Sequence, residues 1–221
     1  RIASTQLRAA TAALTNAVFL RENAVASIDA AKEVEALDVQ TKILGVSQHH
    51  DAITSSQRRH VHRDYIKSLS IGQASVDASI CRVVGAAISG NASAPTLVTC
   101  PYLNESTCPA STSGEEWTVV VLQNPTAQPM IGVAVRVPVS GKASVTDGDH
   151  RAVVAQTLPP WPQSPFVHNE TMHPPSPVVT FRAEVPALGT STYFLLQSKG
   201  VPAPQAAEEP LYPARAAAAA V

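Results

Sequence analysis

Apolar residues follow a helical period through the first ninety positions and alternate with polar ones in much of the remainder. Leu7, Ala10, Leu14, Val18, Val25 and Ile28 recur at helical spacing and predict a helix over 2–32. Val34, Leu37, Thr41, Leu44 and Gln48 form one stripe and predict a second helix over 34–48. Thr54 stands three residues before Gln57, the spacing of a capping box that would open a third helix. Val61, Tyr65, Leu69, Val76, Ile80, Val83 and Ala87 give that helix a long apolar stripe, and Gly90-Asn91 is read as its end.

Residues 91–115 are rich in Ser, Thr, Pro and Asn and read as a connector. Strand patterns begin at Trp117, whose run to Leu122 precedes the turn pair Asn124-Pro125. From Ile131 to Val139, Val133, Val135 and Val137 face one way and Ala134, Arg136 and Pro138 the other. Ala143–Thr146, Ala152–Leu158, Val178–Val185 and Ser191–Gln197 are further strands, and 159–177 is a Pro-rich loop. The pattern predicts an α+β chain: a three-helix bundle over 1–90, a connector over 91–115, an antiparallel β-sandwich segment over 116–200, and a linker or disordered tail over 201–221.

Composition sharpens the division. All 18 prolines fall at or after Pro95, so the first segment can hold long helices and the second cannot. Hydrophobic residues make up 45% and charged residues 15%, enough for a core and too few charges for a disordered chain. Net charge is -1, and neither segment has the basic excess that nucleic-acid binding requires. No stretch approaches the ~20 apolar residues of a membrane span. The chain begins with Arg1, which reads as a fragment or a processed product.

Cys100 and Cys108 bracket a loop that a local disulfide would close, leaving Cys81. Asn91, Asn104 and Asn169 open glycosylation sequons, and with the cysteines they point to the secretory route.

The densest chemistry is Gln48-His49-His50-Asp51, with His60 and His62 downstream. Histidines at a helix end are also placed there by the helix dipole alone. Neighbouring helical residues point about 100° apart, so His49 and His50 are not expected to hold one ion together. A zinc site needs four ligands, or three and a water. No second cluster has zinc-ligand spacing, so other ligands would come from outside the chain. Trp117 is expected in the core, and Asp147-Gly148-Asp149-His150 is read as a turn.

The run Gln48-His49-His50-Asp51-Ala52-Ile53-Thr54, with Val61, Asp64 and Tyr65, resembles the signature of the α-mannosidases of glycoside hydrolase family 38. The loop from Cys100 to Cys108 is similar to one in the lysosomal branch, as are Val119–Pro125, Val135–Ser140 and Val185–Tyr193. The resemblance covers roughly residues 35–197. It implies a retaining, zinc-dependent enzyme that removes terminal α-mannose from mannose-containing glycans in the lysosome or secretory pathway. It implies an upstream catalytic domain with the Asp nucleophile and further zinc ligands, so no catalytic residue lies in this chain. His50 matches the zinc ligand; His49 and Asp51 match groups that contact the mannose.

The chain departs from the family in three respects. Ser55-Ser56 replaces the usual Gly-Thr, and a serine would strain the turn if that position takes a positive φ. His62-Arg63 precedes Asp64 where the lysosomal branch tends to have Ala-Asn, and the partner usual for Cys81 has no cysteine here. The alternatives are a non-catalytic glycan- or partner-binding module and a pseudo-enzyme.

Overall fold

A computed structural model describes residues 2–20, 28–89, 95–100, 107–159, 166–168, 171–173 and 176–198. Gly90, Asn91, Asn104, Trp161, Asn169 and the tail over 201–221 lie outside the described residues. The chain divides into two compact units. One comprises Arg1–Thr99 with Gln123–Gln128 and Ala187–Gly189; the other comprises Cys100–Leu122, Pro129–Pro186 and Thr190–Val221.

The first unit is helical: α1 Ile2–Leu20, α2 Ala30–Val46, α3 His50–Thr54 and α4 Arg59–Ser89. Helices α1, α2 and α4 pack on one another. Ala10, Ala13, Leu14 and Ala17 of α1, Ala36 of α2, and Val76, Val83, Val84 and Ala86 of α4 are buried. Small residues at these positions let the backbones approach closely. Gly72 does the same in mid-α4, where glycine otherwise costs ~1 kcal/mol. A Cβ there would stand 1.9 Å from Gln40 Oε1 and 2.9 Å from Ile43 Cδ1. By length and composition α4 would also pass as a membrane-crossing helix; here its apolar face lies against α1 and α2.

Two expected boundaries move. The first predicted helix ran to 32, but α2 already begins at Ala30, because Asp29 caps it and accepts the Lys32 N–H at 3.2 Å. The buried face of α2 is also one residue out of phase with the predicted stripe. Glu33, Ala36 and Gln40 are buried while Val34 is exposed. The polar contact that turns it is on α4: Arg82 donates to Glu33 at 2.7 and 2.8 Å through two nitrogens. The capping box does not form. Thr54 ends α3 and donates to the His50 carbonyl at 2.8 Å, and Gln57 donates to His62 Nδ1 at 2.9 Å.

The second unit is a β-sandwich with one short helix, α5 Pro109–Thr112. Its strands are β1 Trp117–Gln123, β2 Met130–Pro138, β3 Ala143–Thr146, β4 Ala152–Val153, β5 Ala155–Leu158, β6 Phe166–His168, β7 Thr171–His173, β8 Val178–Val185 and β9 Thr190–Gln197. One sheet runs β1-β9-β3-β4, a second β2-β8-β5, and β6-β7 is a separate hairpin. Every resolved pairing is antiparallel, with Val135 opposite Phe181 and Val145 opposite Leu195. Val137, Phe181 and Ala183 from one sheet, with Val139 just past β2, meet Val145, Tyr193 and Leu195 from the other in a single core. Gly132, at φ 65°, sits where the β2–β8 register slips.

The helix-then-antiparallel-sheet character matches the sequence expectation. The single strand expected over 152–158 is two: β4 pairs in the first sheet, β5 in the second, and exposed Val154 is the crossing point. The short β6-β7 hairpin lies in the stretch read as a Pro-rich loop. Trp117 is 58% exposed rather than in the core, because it starts a strand at the sheet edge.

Candidate functional site

The turn between α2 and α4 carries the site. Helix α2 closes at Ser47, whose N–H bonds back to the Ile43 carbonyl, while the Gln48 N–H bonds to the Gly45 carbonyl. His49 is the N-cap of α3 in an extended conformation, φ -52° and ψ 139°, while His50 and Asp51 are already helical. That difference overturns the expected divergence of the two imidazoles, which held only for two helical residues. Their ring centroids lie 4.2 Å apart. His49 Nε2 is 3.4 Å from Asp51 Oδ2, and His50 Nε2 is 3.5 Å from Asp51 Oδ1. One potential ligand atom from each of the three residues lies within 4.8 Å of the others. This is the one such His/Cys/Asp/Glu group among the described residues.

The group is open to solvent: the His50 side chain is 81% exposed and Asp51 43%. Neighbouring hydroxyls hold it. Ser56 Oγ donates to Asp51 Oδ1 at 2.9 Å, and Thr54 Oγ1 stands 2.8 Å from Ser56 Oγ. The Ser56 bond is the main influence holding the Asp51 carboxyl below its ordinary range, and the two imidazoles act the same way. The chain returns to Asp51 because Ser55 takes a left-handed conformation, φ 60° and ψ 27°. That is the positive φ whose strain the replaced glycine would have avoided. Non-glycine residues pay ~1 kcal/mol or more there.

Two imidazoles and a carboxylate are donor types that zinc accepts, and three such groups fall short of the four positions it fills. The set therefore fits a partial zinc site. His60 and His62 stay outside it; both are exposed, and His62 is held by Gln57. The Asp147 loop is a turn, as expected. Asp147 Oδ1 accepts the N–H groups of Asp149 and Arg151 at 2.9 Å each, and Arg151 pairs with Asp149. Cys100 and Cys108 are joined as a disulfide, and Cys81 is a free thiol that burial pushes up in pKa. Ser56 and Thr54 entered the sequence reading only as a departure and a cap. Their signal was a pair of hydroxyl residues within one turn after an acid at a helix end.

No family model matches the chain. Among curated proteins, the lysosomal α-mannosidase of Dictyostelium discoideum is 29% identical over 171 residues, 73% of this chain and 16% of that protein. An α-mannosidase of Arabidopsis thaliana is 35% identical over 182 residues, 72% of this chain and 17% of its own. The lysosomal α-mannosidase of Homo sapiens is 32% identical over 154 residues, 70% and 14%. The chain thus spans less than a fifth of the length of these relatives. Over about 70% of its length, the chain belongs to the family of the lysosomal and plant α-mannosidases, glycoside hydrolase family 38, whose signature its residues 48–65 resemble.

Proposed function

We propose that this chain contributes part of the active site of a retaining, zinc-dependent α-mannosidase acting on terminal α-mannose of glycans in the lysosome or secretory pathway. The observation that carries the reading is the convergence of His49, His50 and Asp51 donor atoms on one exposed turn. His50 is the metal ligand, and His49 and Asp51 hydrogen-bond the sugar. When bound, zinc supplies a Lewis acid for the sugar hydroxyls.

Retaining hydrolysis takes two carboxyl groups ~5–5.5 Å apart, one of them a nucleophile. Asp51 is a single carboxylate already bonded by Ser56 and faced by two imidazoles, so it serves binding rather than attack. The nucleophile and the remaining zinc ligands belong to a catalytic domain outside this chain. The cysteine pair and the sequons support the secretory route.

The test is His50→Ala in the full-length protein. The substituted protein should lose bound zinc, measured by elemental analysis, and release of p-nitrophenol from an α-mannoside. Retention of both contradicts the assignment. The 221-residue chain alone should release none, and zinc-dependent release by it would place the nucleophile here.

A further inference from the structure

Asp51 sits on a five-residue helix none of whose residues is buried, and its own side chain is 43% exposed. A carboxylate in that setting would swing freely, yet this one spans both imidazoles. We infer that Ser56 is the positioning residue of the site: its hydroxyl holds the Asp51 carboxylate toward His49 and His50, and left-handed Ser55 delivers it there. This rests on the function proposed above and names a residue for which that reading has no role.

Ser56 bonds Asp51 twice, through its N–H to the carbonyl at 3.1 Å and its hydroxyl to Oδ1 at 2.9 Å. Each hydroxyl has one proton to give. An ionised carboxylate only accepts, so the Ser56 proton goes to Asp51. The Thr54 proton is then shared between Ser56 Oγ and the His50 carbonyl, each 2.8 Å away. Thr54 thereby aims Ser56, and Ser56 aims Asp51. Asp51 Oδ1 faces His50 Nε2 at 3.5 Å; direct partners of a metal-ligating histidine typically change metal affinity ~10–100-fold when lost, so Ser56, one bond further out, should act at the low end of that range.

Two arms test it on the full-length protein. In metal-free protein, three-bond NMR couplings should report one Asp51 χ1 rotamer in the unsubstituted chain and in Ser56→Thr, and rotamer averaging in Ser56→Ala. Titration with Zn²⁺ alone, followed on the His49 and His50 ring resonances, should give binding about tenfold weaker in Ser56→Ala, restored in Ser56→Thr. Unaltered couplings or equal Zn²⁺ affinity in Ser56→Ala overturn the inference, as does an averaged rotamer in the unsubstituted chain. If Zn²⁺ moves neither ring in the unsubstituted chain, the metal reading fails, and the rotamer arm still decides the role of Ser56.

Discussion

Among the largest fully buried side chains, the helical unit contributes Glu33 and Gln40, and the sheet unit contributes Phe181 and Leu195. The sheet unit draws its stability from two apolar faces pressed together. Its buried Gln197 serves that arrangement, accepting from Ser140 and donating to the Ser111 carbonyl and Thr118. The helical unit is fastened by polar groups: the Glu33–Arg82 pair, and Asp77, which accepts from Gln6, Gln73 and Thr99. The same unit carries the exposed His49-His50-Asp51 turn. Apolar cores tolerate shifts in acidity, whereas polar fastenings respond to it, so the two units should differ most clearly in their pH dependence.

The largest effect should come from the sheet core. Phe181→Ala removes the central ring, which packs on Tyr193 at 5.0 Å between centroids, and should destabilise the sheet unit by ~3–5 kcal/mol. Denaturant unfolding followed by probes in each unit measures it. The loss should be nearly constant from neutral to acid pH.

Arg82→Met should cost the helical unit ~2 kcal/mol, less than the ~3–5 of a fully enclosed pair, because Arg82 is 42% exposed and water can replace it. Burial works against the Glu33 charge, but the hydrogen bonds and charge of Arg82, together with Ser79 and Lys32, outweigh it and hold the carboxyl below its ordinary range. A lowered pKa gives stability that is present above the unfolded value of 4.5 and lost as pH falls through the folded one. The difference between Arg82→Met and the unsubstituted chain should therefore close on acidification. A gap that stays open at acid pH would remove the contrast between the units.

Asp77→Asn should behave oppositely. Burial raises the Asp77 pKa despite the bonds from Gln73 and Thr99. A raised carboxyl contributes stability that is full below its unfolded pKa and lost as pH rises through the folded one. Asn removes that charge but keeps only one acceptor, losing the one for Thr99, so the stability of the variant relative to the unsubstituted chain should rise as pH rises from acid to neutral, as thermal unfolding across pH would show. The smallest effect is Ser55→Gly. It relieves the left-handed serine but frees the unfolded chain, for a net gain of ~0.5 kcal/mol by the same measurement.

The sheet was the more legible half. The strands Ala143–Thr146 and Val178–Val185 were legible to the residue, because each is a run rich in Val and Thr bounded by Gly, Asp or Pro. The break at Val154 was not legible, since Ala152-Val153-Val154-Ala155 is an unbroken apolar run across the point where the chain changes sheets. In the helices, periodicity found α4 but set α2 out of phase, because a buried Glu33 with a distant partner looks like a surface residue in sequence. The site residues were legible as a run of side chains. Their convergence was not, because it depends on His49 being an extended cap one residue before the helix. Nor was the hold of Ser56 on Asp51, which depends on a left-handed Ser55.

The most direct test of the central claim is zinc-edge anomalous scattering from crystals of the full-length protein. The account predicts an anomalous peak ~2.0–2.1 Å from an imidazole nitrogen of His50, with Asp51 and His49 facing the adjoining space. A zinc peak held elsewhere, with no density at His50, would contradict it.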